Sequence, residues 1–264
     1  MDEATPYYSD DGLASTPDLL AVHKHFDEKV LSEAEKSAAK KGFHSDKLAY
    51  LGSPAGFLME EADRLNADLI VVGSNKRSQL SSLFFGSVGR ALAVGAKHSV
   101  LIAKQEVAAE GPLTAVLTAD HSKYSDQAVH LLAELKPQGI RRLVVLTVLD
   151  KQMVGPADEE HIERVRKHME AHDNAMVELF EAAGIPTEAR VIEGELDEVI
   201  DEQMHELNAD LLIMGAQGHG FLARLFIGSA SLKQVVASRH SILLLRPAPK
   251  YYVLSRDLHL VSHT

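Results

Sequence analysis

Gly215-Ala216-Gln217-Gly218, nine further residues, and then Gly228-Ser229 follow directly on the apolar run Leu211-Leu212-Ile213-Met214. The order describes a strand, a glycine-cornered loop and a helix beginning at Ser229. Such a loop suits an anion, because glycines let the backbone reach φ > 0 and approach closely, and a helix start offers unpaired N–H groups with a partial positive charge. Gly is also the default turn residue, so a plain strand-to-helix turn is the competing reading. Asp120, Ser122 and Ser125 form a second polar group with the spacing Asp-x-Ser-x-x-Ser. A carboxylate there suits a ligand hydroxyl, or it acts only as a cap near Ser122; Ser229 is open to the same bland reading.

Both groups need elements to hold them. Residues 114–117 predict a strand, Asp120-His121-Ser122 a turn, and Ser125 the cap of a helix whose Ala128, Leu131, Leu132 and Leu135 share a face. Residues 143–148 are continuously apolar, as expected of a parallel strand covered on both sides. After a loop at Gly155-Pro156, a long helix carries Ile162, Val165, Met169, Met176, Leu179 and Phe180 on one stripe and stops at Gly184. Further strands are expected at 189–192, 211–214 and 242–245, separated by a helix with Leu196, Val199, Ile200 and Leu207 and by the helix from Ser229. That βαβαβαβαβ order predicts an open parallel sheet with helices on both faces. Ligands of such sheets sit beyond the carboxyl ends of the strands, where the strand order reverses.

The loop occurs twice. A shift of 142 residues (215 − 73) places Gly73 on Gly215 and Gly86-Ser87 on Gly228-Ser229 without a gap. Leu65-Asn66-Ala67-Asp68-Leu69 falls on Leu207-Asn208-Ala209-Asp210-Leu211, His98-Ser99 on His240-Ser241, and Gly42 and Gly52 on Gly184 and Gly194. So long a period makes each copy a whole domain: residues 1–106, an incomplete copy; residues 113–247, a complete one; and residues 248–264, a tail. Met1 aligns with Leu143, so the first copy has no counterpart of the strand at 114–117, of the Asp120 turn or of the helix after it. What remains is a helix capped by Thr16 with Pro17 first, a strand at 47–50, a helix begun by Ser53-Pro54, and strands at 69–72 and 100–103. Lys76 stands where Gly218 stands, placing a side chain where backbone must approach phosphate. Two explanations compete for the missing start: a native protein that begins upstream, which is favoured because a parallel sheet without its central strand exposes unpaired N–H and C=O groups, or a half-domain that leans on its partner.

Composition narrows the field. At 264 residues the chain can bury two modest cores, and its net charge of −11 disfavours a sequence-independent nucleic-acid footprint. No apolar run reaches membrane-spanning length and Met1-Asp2-Glu3 is not the start of an apolar leader, so no membrane insertion is expected. Zero cysteines exclude disulfides and thiolate metal sites and suit a cytoplasmic location. His168 and His172 have the spacing of a metal pair, but without a third ligand they read as a solvated helix face. The acidic start from Asp2 to Asp18 reads as a surface loop, and the tail (Tyr251-Tyr252-Val253-Leu254-Ser255, then Leu258 to Val261) as a loose terminus or an edge-covering hairpin.

The motif G-x2-G-x9-G-S after an apolar strand, combined with Asp120, Ser122 and Ser125, resembles the universal stress protein family over nearly the whole chain. The resemblance implies a Rossmann-like fold with an open parallel five-stranded sheet of order 3-2-1-4-5, duplicated in tandem. It implies an ATP site, or one for another adenine nucleotide: Asp120 at the ribose, the backbone of Val148 at adenine, Gly215, Gln217 and Gly218 as the near wall of the phosphate loop, and Gly228, Ser229, Ala230 and Ser231 as the far wall. Thr118, Ala119 and Met214 would line the slot by adjacency. Magnesium would enter only with the phosphates, and no residue is assigned to a metal. Domains of this family commonly pair through their last strands, which implies 100–103 facing 242–245 and a homo-oligomer, most simply a dimer. The reading is a cytoplasmic nucleotide-binding regulator of the stress response whose protein partner is unknown. Its alternative is a scaffold of the same fold that binds no nucleotide. The chain lacks G-x-x-x-x-G-K-[ST] and sets no nucleophile beside a base near the loop, so no catalytic residue is named and at most slow ATP hydrolysis is expected.

Overall fold

The computed structural model describes residues 17–50, 52–73, 87–104, 111–150, 159–217 and 227–247, with side chains from 28 onward. Lys76, Gly86, the loop at Gly155-Pro156, Gly218 and the tail from 248 lie outside the described residues. Two compact units divide the chain, residues 1–52 and 53–264.

In the first unit, α1 (Pro17–Lys40) begins with proline at its first position, where the absent N–H is not needed. It ends on Gly42, at φ 83°, with Phe43 donating to the Ala38 carbonyl and Gly42 to Ala39, both at 3.0 Å. Residues 43–50 form no strand, correcting the expectation at 47–50. The equivalent residues of the complete copy form a strand only by pairing with their neighbour. Here the positions of that neighbour carry Met1-Asp2-Glu3-Ala4-Thr5-Pro6-Tyr7 and lie outside the described residues.

The second unit contains one seven-stranded sheet. Its elements in chain order are α2 (Pro54–Leu65), β1 (Leu69–Gly73), α3 (Ser87–Gly95), β2 (Ser99–Ala103), β3 (Leu113–Ala119), α4 (Lys123–Leu135), β4 (Ile140–Leu149), α5 (Glu159–Ala182), β5 (Thr187–Glu193), α6 (Leu196–Glu206), β6 (Leu211–Gly215), α7 (Ser229–Ala237) and β7 (Ser241–Leu245). The sheet order is β1-β2-β7-β6-β3-β4-β5. Read within the second copy alone, β5-β4-β3-β6-β7 is the 3-2-1-4-5 order, with every neighbouring pair parallel. The sheet does not stop there: β2 joins β7 antiparallel, with Val100 opposite Leu244, Leu101 opposite Leu243 and Ile102 opposite Ile242. The two copies therefore share one sheet, in which the last strands pair about a local two-fold.

Alternation along the strands feeds two cores. Val116, Val144, Leu212, Met214, Ile242 and Val100 pack with Leu92 of α3, Ile200 and Met204 of α6 and Val235 of α7. Ala115, Leu117, Leu143, Val145 and Ile213 face the other way, onto Leu132 of α4 and onto Met176 and Phe180 of α5. Leu69 and Val71 are 39% and 58% exposed, whereas Leu211 and Ile213, the same positions in the second copy, are 9% and 0%.

Polar contacts across the two-fold are also repeated. The N–H of Lys104, which follows β2, donates to Ser241 Oγ at 3.2 Å, and the N–H of Arg246, which follows β7, donates to Ser99 Oγ at 3.0 Å. The 142-residue shift places Lys104 on Arg246 and Ser99 on Ser241, so the two bonds are equivalent. Each basic side chain then crosses to the other copy: the Lys104 ammonium donates to the carbonyls of Val235 and Ser238 at the end of α7, and the Arg246 guanidinium to that of Ala93 near the end of α3. Cations at helix C-termini complement the exposed carbonyl dipoles.

Candidate functional site

β3 is the strand at which the order reverses, with β4 on one side and β6 on the other. Ala119, Val148 and Gly215 stand at the carboxyl ends of these three strands. Beyond β3 the chain turns through Asp120, and Asp120 Oδ1 accepts the Ser122 N–H at 3.0 Å. The helix cap is Ser122, correcting the assignment to Ser125: Ser122 is extended (φ −75°, ψ 156°) and its hydroxyl accepts the Ser125 N–H at 3.1 Å. Ser125 lies inside α4, where its hydroxyl accepts the Asp120 N–H at 3.4 Å. The serines thus hold the corner from both sides and leave Asp120 exposed at its tip.

At β6, Gly215 is needed by its own protein. A Cβ there would lie 3.2 Å from the Gln217 carbonyl oxygen and 3.3 Å from the ring of Tyr124, whose hydroxyl donates to the Leu245 carbonyl at 3.2 Å. Ser231 in the first turn of α7 donates its hydroxyl to the Gly215 carbonyl at 2.8 Å, tying the helix start to the strand end. The Gly228 N–H, expected to face phosphate, donates to the Ala216 carbonyl at 2.7 Å. The helical ladder begins with Leu232 donating to Gly228, which leaves the N–H groups of Ser229, Ala230 and Ser231 outside it, and Gly228 makes no side-chain cap. Ser229 is exposed.

The expected residues therefore gather at one sheet edge, with qualifications. Ala119 and Met214 are 5% and 4% exposed and pack into opposite cores. Thr118, Val148, Gly215, Gln217, Gly228 and Ala230 are half-buried. Gly218 lies outside the described residues. The sequence reading missed Tyr124, which supports Gly215, and a buried polar cluster beside the corner: His121, Asp126, Thr147, His172 and Asp173. His172 is 7% exposed, correcting its assignment to a solvated face, while His168 is exposed. Adjacent His172-Asp173 is the only local signal, since their partners lie 46 and 52 residues away. Among the described residues no group of three or more histidines and carboxylates is arranged to hold a metal ion, and no helix is long and apolar enough to cross a membrane.

The universal stress protein family model matches residues 1–104 and again 114–246. The stress response protein NhaX of Bacillus subtilis (strain 168) is 32% identical over 106 residues, which are 37% of this chain and 64% of that protein. The universal stress protein in QAH/OAS sulfhydrylase 3'region of Thermus aquaticus is 31% identical over 137 residues, 50% of this chain and 98% of its own. Among solved structures, a universal stress protein from Archaeoglobus fulgidus DSM 4304 superposes with a TM-score of 0.63 at 20% identity, covering 90% of this chain and 82% of that one.

Proposed function

The chain belongs to the universal stress protein family, and we propose that its second copy holds an adenine nucleotide, ATP in the first instance, as a cytoplasmic regulator of a stress response. The observation that carries this reading is the start of α7: three N–H groups outside the helical ladder, at the edge where the sheet order reverses. Ser229, Ala230 and Ser231 would offer backbone donors to phosphate, Asp120 its exposed carboxylate to the ribose, and Val148 its backbone to the base. Magnesium would accompany the phosphates. The first copy would serve as a built-in partner, joined through β2 and β7, and would hold no nucleotide because Lys76 replaces the equivalent of Gly218.

A scaffold that binds no nucleotide is favoured by one observation, the engagement of the Gly228 N–H with Ala216. Calorimetric titration with ATP decides between them. The nucleotide reading expects one site per chain, abolished in Gly218→Lys with the melting temperature unchanged. Two equivalent sites would refute the inactive first copy, and no heat at any concentration would leave the scaffold.

A further inference from the structure

One residue beyond Asp120 lies a buried cluster that nucleotide binding does not use. His121 has φ 56°, a left-handed conformation that a residue with a Cβ rarely keeps unless its surroundings hold it. Its ring is what is held. Nε2 lies 2.8 Å from Asp173 Oδ1 on α5 and 3.1 Å from Thr147 Oγ1 on β4, and the Thr147 hydroxyl donates to the same Asp173 oxygen at 3.0 Å. The ring stacks on His172, centroids 4.5 Å apart and planes within 5° of parallel. His172 Nε2 in turn lies 3.0 Å from Asp126 Oδ1 on α4. Both carboxylates are 0% exposed, and Asp173 Oδ2 meets no hydrogen-bond partner among the described residues.

Ionised carboxylates only accept, so each Nε2 carries hydrogen and any extra proton sits on Nδ1. With both rings neutral, two buried negative charges face each other across the stack; one proton halves that imbalance and two remove it, at the cost of repulsion between stacked cations. The titratable groups around the stack are Asp126 and, one turn along α4, His130; His172, Asp173 and the exposed His168 on α5; and Asp120 with His121 at the corner. β4 presents the neutral Thr147. The hydrogen bond to Asp126 holds His172 above the ordinary histidine range, opposed by burial and aided by the charges of Asp126 and Asp173.

We propose that His121 is a positioning residue for Asp120, and that the His121–His172 stack clamped between Asp126 and Asp173 couples nucleotide affinity to a proton bound inside the domain. The proposal rests on the nucleotide reading of this site. The ionised Asp173 makes the bond that pins His121 charge-assisted, a proton on the stacked His172 offsets the buried negative charge of Asp126 and Asp173 that opposes this arrangement, and the pinned corner presents Asp120. A histidine titrating above its unfolded value contributes stability that is complete below the ordinary histidine range and lost as pH rises through the raised value. Affinity is expected to fall in the same direction.

The test combines ATP titration calorimetry from about pH 6 to about pH 9 with NMR titration of the imidazoles in nucleotide-free protein, on wild type, His172→Gln and His121→Asn. Asparagine tolerates the left-handed conformation, so the second variant keeps the corner's backbone if the first fails to fold. In the wild type His172 should titrate above the ordinary range, and ATP affinity should fall about fivefold or more with rising pH. Either variant should flatten that profile to the slope set by the titration of ATP itself. Parallel profiles in wild type and variants, or a His172 imidazole that titrates at the ordinary value, overturn the proposal alone; absence of ATP binding at every pH overturns the nucleotide reading and the proposal with it.

Discussion

Lys104→Met tests how the two copies are joined. Lys104 follows β2 and is 7% exposed, and its ammonium donates to the carbonyls of Val235 at 2.7 Å, Ser238 at 2.8 Å and Gln234 at 3.4 Å. Burial nevertheless lowers its pKa from 10.5 to about 8. That displacement corresponds to about 3 kcal/mol in favour of the uncharged amine. The unfolded chain keeps this proton up to its ordinary value, whereas the folded chain releases it near 8. Between these values the unfolded state binds more protons, so stability rises with pH, by about 2 kcal/mol from about pH 7.5 to about pH 9.5. Methionine has a similar length and no proton. It leaves the Val235 and Ser238 carbonyls without this donor, costing about 1 to 3 kcal/mol, and relieves the desolvation of the ammonium. Urea unfolding of both proteins at both pH values should show the wild type gaining about 2 kcal/mol relative to the variant at the higher pH. A gap equal at the two values would refute the burial of this ammonium against α7, and with it the docking of the first copy across the two-fold.

Other expectations follow from single features. Hydrogen exchange should rank the amides of Val100 to Ile102 and Ile242 to Leu244 with those of β4 among the slowest in the chain; fast exchange in β2 alone would rule out its pairing with β7. Gly215→Ala should cost about 1 to 2 kcal/mol, because the methyl group must displace Tyr124 or the Gln217 carbonyl, and should weaken ATP binding; unchanged melting and unchanged affinity together would show that this contact is unimportant. Ile213→Lys should unfold the second unit, whereas Val71→Lys at the equivalent position should shift stability by less than about 0.5 kcal/mol, since the two sites are 0% and 58% exposed. Equal destabilisation by thermal melting would mean that something covers Val71.

The duplication was readable from residues because it rests on local constraints. Left-handed backbone favours glycine or asparagine, and the repeat keeps them at matched positions: Gly42 and Gly184 at φ 83° and 84°, Gly52 and Gly194 at 149° and 156°, Asn66 and Asn208 at 49° and 45°. The strands of the second copy were readable because a strand covered on both faces must be apolar throughout, as residues 143–148 are. Caps were readable only in part. Ser53 could be assigned because Pro54 follows it, whereas Ser122 and Ser125 both suit an N-cap, and only the observed backbone shows which is extended.

What the residues could not disclose is which groups meet across long separations. Nothing local marks the Gly228 N–H as donating to Ala216, the Lys104 ammonium as ending on α7, 131 residues away at Val235, or His172 as lying beneath His121 and against Asp126. Helical spacing fixed which residues lie along one face of α5, but whether that face meets water or α4 depends on where the sheet sets the helices down. The sequence by itself therefore determined the elements, their repetition and the glycines at the loop. The family resemblance implied that 100–103 faces 242–245; tertiary structure supplied the antiparallel register of β2 on β7 and the engagement of the Gly228 N–H with Ala216. It also decided that two histidines and two aspartates share one buried site, because burial and pairing belong to the packed chain rather than to any segment of it.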